Sequence, residues 1–122
     1  MAAITVQSLN QAALNHTYGA IAASGDTILN DGNVFLMFKN ANASARTLTM
    51  PGNATDKPGF GTLSVADMTE TYTIPGSGTN SGECMIGPFP TGRFNNSSGQ
   101  LTPTIDVVTG LTVSAINMTR VY

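Results

Sequence analysis

Val34-Phe35-Leu36-Met37-Phe38 decides the fold. Successive side chains of a strand point to opposite faces, and in this run both faces are apolar. One face can pack inside a two-sheet sandwich, while the other needs an arm, a loop or a second subunit to cover it. Immediately upstream, Asp31-Gly32 sits between apolar runs and predicts a tight hairpin turn. Downstream, a turn at residues 40–44 leads into Arg46-Thr47-Leu48-Thr49-Met50, which alternates as a half-buried strand and ends at Pro51-Gly52.

The rest of the chain extends this β pattern. Residues 3–9 can form a short strand, with a helix over Leu9 to Leu14 as the competing reading, and residues 1–25 as a whole read as an irregular arm or surface-following segment. The 53–61 stretch is a loop by composition. Over 68–74, Met68, Tyr72 and Ile74 oppose Thr69, Thr71 and Thr73. Cys84-Met85-Ile86 leads into a segment where Pro88 and Pro90 lack ladder donors, which marks a sheet edge or corner. From Gln100, Leu101, Ile105 and Val107 oppose Thr102, Thr104 and Asp106, and Gly110 turns the chain. In the last segment, apolar residues switch faces near Ala115, which predicts a bulge or a second apolar contact. About seven or eight short strands at this spacing make a small antiparallel β-sandwich, with jelly-roll topology as one arrangement. A single domain over residues 1–122 is expected.

Composition narrows function mainly by exclusion. Charged residues are 10% of the 122, with 5 Lys+Arg against 7 Asp+Glu, so neither a nucleic-acid patch nor a polybasic membrane surface is supported. One His (His16) and one Cys (Cys84) leave no intrachain disulfide and argue against a zinc cage. No apolar run approaches a membrane span, and the start lacks the features of a secretory signal, so synthesis and use without export is the expectation. Asn-x-Ser/Thr occurs at Asn15, Asn42, Asn53, Asn95, Asn96 and Asn117, but in a chain this rich in Asn, Ser and Thr it carries little weight as a glycan signal.

Catalytic signatures are absent from the pattern. A Cys84–His16 dyad has no local motif, and the seven acids are scattered in turns rather than paired across a cleft. Counting back from Gly32 puts Thr27 and Leu29 where a calcium-binding helix–loop–helix needs oxygen ligands, although an oxygen-rich site among Asp26, Asn30, Asp31 and Asn33 stays open beside the plain turn reading. Phe89, Arg93 and Phe94 admit two readings. A guanidinium between two rings suits an interface, whereas two rings plugging the end of a sandwich would leave Arg93 to bond loop carbonyls. No cofactor or metal ligand set is expected.

Three stretches carry a resemblance: residues 31–50 (DGNVFLMFKNANASARTLTM), residues 86–101 (IGPFPTGRFNNSSGQL) and residues 108–116 (VTGLTVSAI). Together they resemble small capsid decoration, or cement, proteins of tailed bacteriophages, in an apolar strand ending in Lys39-Asn40, a Gly87-Pro88-Phe89-Pro90 corner and a final Thr/Val-rich strand. The resemblance spans roughly two-thirds of the chain and departs in the first 25 residues and the 53–61 loop. It implies a β-sandwich made in the bacterial cytoplasm that binds the outer surface of the shell, bridges major capsid protein subunits and has no enzymatic activity. Self-association is expected, as a homotrimer in preference to a dimer, with no nucleic-acid or membrane partner. Candidate contact residues are Ala2, Ile4, Val6 and Leu9 of the arm and the second apolar faces at Phe35, Met37, Ile116 and Met118, with Phe89, Arg93 and Phe94 at the corner. The alternative function is a carbohydrate- or receptor-binding module of a phage fibre or head appendage, which shares the fold but wants exposed aromatic platforms.

Overall fold

The structure, a computed structural model, describes residues 2–9, 13–53, 56–57, 61–62 and 68–118. Twelve strands occur among the described residues: β1 Val6–Leu9, β2 Gly19–Ala20, β3 Ile28–Leu29, β4 Val34–Asn40, β5 Arg46–Met50, β6 Asp56–Lys57, β7 Gly61–Thr62, β8 Glu70–Ile74, β9 Glu83–Ile86, β10 Gln100–Leu101, β11 Thr104–Ile105 and β12 Leu111–Met118. The main sheet has the order β1-β12-β4-β9, with β2 also on β12, and the second sheet has the order β11-β5-β8. The chain passes between the sheets from β4 to β5, from β8 to β9 and from β11 to β12. The fold is thus all-β, as expected from the alternating runs.

The core lies between the two sheets. Val34, Leu36, Phe38, Leu111, Val113, Ala115 and Ile86 from the main sheet meet Leu48, Met50, Ile74 and Ile105 from the second in one buried cluster. Each of these side chains larger than Ala115, fully withdrawn from water, contributes about 1.5–3 kcal/mol, so these alternating positions carry most of the driving force. Phe89 and Phe94 close one end at 0% and 2% exposure, their rings edge-to-face with centroids 5.8 Å apart. Phe89 precedes and Phe94 ends a one-turn helix, α1, at Thr91–Phe94.

At the opposite end, the β4–β5 and β8–β9 crossover turns are tied together by Asn40, which is fully buried. Its amide donates to the Ser44 and Pro75 carbonyls at 2.9 and 3.1 Å, and its oxygen accepts from the Asn42 amide at 3.0 Å. Gly82 has to be glycine here, because its φ is +74° and an added Cβ would lie 2.0 Å from the Asn40 carbonyl oxygen. Arg46, at the start of β5, is buried beside these turns and donates from Nη2 to the Thr109 carbonyl at 2.9 Å.

Several expectations need correction. The chain does turn at Asp31-Gly32, where Gly32 has φ +94°, but β3 and β4 form no hairpin: β3 pairs with β10. Asn30 explains this, because its amide donates to the Phe89 carbonyl at 3.0 Å and to Asn95 Oδ1 at 2.7 Å, drawing β3 toward the corner segment. The strand expected from Gln100 to Val107 is divided, β10 going to β3 and β11 to β5, since Pro103 between them has no N–H to continue a ladder. Val107 is 44% exposed in the following turn rather than buried with Ile105. Within the expected 53–61 loop, β6 and β7 form a two-residue antiparallel ladder. The sandwich is also not purely antiparallel, because β1 runs parallel to β12. The helix over Leu9 to Leu14 does not hold where described: Leu9 ends β1, residues 13–14 are not helical, and residues 10–12 lie outside the described residues.

Candidate interaction surface

The parity of β4 creates the surface of interest. Val34, Leu36 and Phe38 point into the core, so Phe35, Met37 and Lys39 point outward, and outward residues of the neighbouring strands join them. In register, Met37 lies opposite Met85 of β9 and Ser114 of β12, and Phe35 lies opposite Ile116. Among the described residues no second sheet lies over this outer face, so its cover decides its role.

Half of the face is covered by the chain itself. Gln7 of β1 donates from Nε2 to Ser114 Oγ and to the Thr17 carbonyl, both at 3.0 Å, and its Oε1 accepts from the Thr17 amide at 2.9 Å. Residues on either side of the 10–12 segment are thereby held over β12, where Ser114 and Ile116 are only 1% and 2% exposed. The β12–β4 register runs unbroken from Leu111 opposite Asn40 to Asn117 opposite Val34. The face switch near Ala115 therefore marks a second apolar contact and not a bulge. Ile116, named as a contact residue from sequence, is accordingly buried by its own chain and offers nothing to a partner. Cover continues at Tyr18, whose ring lies 5.8 Å from Lys39 Nζ and meets His16 edge-on with centroids 5.4 Å apart. Burial, and then the Glu83 carboxylate, push the Tyr18 phenol above its ordinary pKa.

The other half is open. Between Tyr18 and β9 runs a groove of about 410 Å³, lined by Met37, Phe38, Cys84, Met85, Glu83 and Asn80. Met85 is 64% exposed, and Met118, at the far end of β12 beside Leu9, is 55% exposed. Phe35 and Met37 are half-buried. A thioether-rich, weakly charged surface adapts readily to a partner's shape. The charged side chains named on it are Lys39 and Glu83, which face each other across β4 and β9 and are opposite in sign.

The remaining candidates fall elsewhere. Ala2 is exposed and Ile4, Val6 and Leu9 are half-buried along the arm, on the β12 edge rather than on the open groove. At the corner, Arg93 stands over one ring, Phe94, at 4.8 Å, and donates from Nε to the Met68 carbonyl at 2.9 Å. Since Phe89 and Phe94 are both buried, the two rings plug the sandwich end, and only Arg93, paired with Glu70 at 3.1 Å, reaches solvent. Sequence reasoning missed Met85 and Tyr18. Met85 was legible, because Ile86 must face the core and its neighbour must therefore face out; nothing local marks Tyr18.

Chemistry is sparse in the described residues. Among them, no group of three His, Cys, Asp or Glu is placed to hold a metal ion, and no helix is long and apolar enough to cross a membrane. Asp26 and Asp31 of the oxygen-rich segment are engaged by the fold: Asp26 accepts from the Ala2 and Ala22 amides, and Asp31 from the Asn33 amide and the Asn117 side chain. Burial pushes the Cys84 thiol up, away from the thiolate form that a nucleophile needs. No family profile, curated protein or solved structure matches the chain.

Proposed function

We propose that the protein is a structural component of a phage virion that binds the outer surface of the capsid and bridges its major subunits, without catalytic activity. The observation that carries this reading is the open half of the outer sheet face, where Met85 is 64% exposed beside half-buried Met37 and Phe35. A contiguous apolar face on a chain with so few charges is a contact surface in waiting. The sequence likeness to cement proteins supplies the partner, and the low charge suits close packing of many copies. On a lattice, each copy need contribute only a modest interface, because repetition supplies avidity.

Capsids assembled from the major capsid protein of a tailed phage whose genome encodes this chain provide the test. The unsubstituted protein is expected to co-sediment with them at a fixed ratio, and Met85→Asp or Met37→Asp to lose at least tenfold in affinity with an unchanged β-type circular dichroism spectrum. Equal binding by both variants would overturn the assignment of this face.

A further inference from the structure

We infer that the free edge of β9 takes a short extended segment of a major capsid subunit as an added strand, hydrogen-bonded to the backbone of Met85. The inference rests on the proposed function and states how that same face holds its partner. Its basis is the direction of the backbone groups in the main sheet. In an antiparallel sheet, the N–H and C=O of one residue face one neighbouring strand and those of the next residue face the other. The Ala41 amide donates to the Gly110 carbonyl at 2.8 Å, on the β12 side. The Asn40 carbonyl oxygen lies on the β9 side, against Gly82. Along β4, Leu36 and Phe38 share the parity of Asn40, so they bond Ile86 and Cys84, their register partners on β9. Glu83 and Met85 therefore turn their N–H and C=O groups away from the sheet.

The two outward-turned residues differ in what meets them. Glu83 is closed off by its own chain: its amide donates to the Asn80 carbonyl, and its carbonyl accepts from the Asn80 side chain at 2.9 Å. Beyond the other end of β9, Pro88 has no N–H to offer. Between these stops, no hydrogen bond from the described residues reaches the N–H or C=O of Met85, and β9 is the last strand in the sheet order. A donor and an acceptor left side by side on an edge are the template for one more strand. Extended peptides bind sheet edges by this main-chain pairing, with side chains supplying the selectivity. The matched pair of groups thus identifies the occupant as extended backbone, and the stops on either side keep it short. Its residue opposite Met85 lies beside that thioether and is apolar by the pairing preferences of neighbouring strands. Glu83 is exposed and has no ion pair among the described residues, so a basic residue suits the next outward position of the added segment.

Amide hydrogen exchange of the unsubstituted protein, free and bound to capsids and resolved to single residues, tests the inference. The Cys84 and Ile86 amides, bonded to β4, should exchange slowly in both states. The Met85 amide should exchange fast in the free protein and about tenfold or more slower on the capsid. A Met85 amide equally fast in both states would overturn the inference and leave the proposed function standing. Absence of capsid binding by the unsubstituted protein would instead remove the proposed function, and this inference with it. A pair of variants separates the backbone from the side chain. Met85→Ala and Met85→Pro both lose the thioether, but only the proline loses the N–H, a loss that an edge position tolerates. Met85→Pro should bind capsids about tenfold more weakly than Met85→Ala, with an unchanged β-type circular dichroism spectrum. Equal binding by the two folded variants would contradict the added strand, and if Met85→Pro does not fold, the exchange measurement decides.

Discussion

At the residue scale, asparagine does more here than the sequence conveys. Its abundance reads as a neutral, polar surface, yet Asn30, Asn40, Asn53 and Asn95 each bond backbone or side-chain groups of distant segments. A primary amide donates twice and accepts at its oxygen, so one side chain can hold two carbonyls and an N–H at once, where a hydroxyl, with a single proton, donates only once. Pattern analysis misses this because a buried and an exposed Asn look alike in sequence. Asn40→Ala should cost about 3 kcal/mol, because three backbone groups lose their partner inside the fold; urea denaturation measures it, and a loss below about 0.5 kcal/mol would contradict the clamp. Acid stability belongs to this scale as well. Asp31 is held below the usual carboxylate range, first by the Asn117 side chain and then by the Asn33 amide, and Asp106 first by the Thr47 amide. A depressed folded pKa stabilises the protein above the unfolded value near 4, and that contribution is lost as pH falls through the folded values. The melting temperature should therefore fall with acidification below about pH 4, and less steeply in the Asp31→Asn, Asp106→Asn double variant.

At the element scale, β5 was the most legible part of the chain, because its alternation over five residues leaves one way to face a core; β4 was legible as a strand, but with both faces apolar its core side was not. β12 was half legible. Its change of apolar face was visible, but whether a bulge or a covering segment caused it depended on Gln7, 107 positions away from Ser114. The expected β3–β4 hairpin failed for the same reason: turn chemistry at Asp31-Gly32 is local, whereas the bonds of Asn30 to Phe89 and Asn95 are not. The two outward residues of the main sheet should separate cleanly in a stability measurement. Ile116→Ala removes a buried side chain and should cost about 2–4 kcal/mol, while Met85→Ala should stay within about 0.5 kcal/mol. Equal costs would mean that the arm does not cover β12 or that the β9 face is not open.

For the whole molecule, the β class followed from composition and alternation, and the need for cover on a second face followed from one pentapeptide. What supplies the cover was not legible. Part of it is the chain's own first strand and the segment around Tyr18, and the remainder is an open groove between Tyr18 and Met85. Under the proposed function, the covered β12 side is closed to partners and the open β4–β9 side is the one offered to the shell. An electron-microscopy map of the capsid assembled with this protein tests that arrangement most directly. The expected result is density for the sandwich on the outer shell with Met37 and Met85 turned toward coat subunits. A shell without such density, or a bound sandwich whose β4–β9 face looks into solvent, would contradict it.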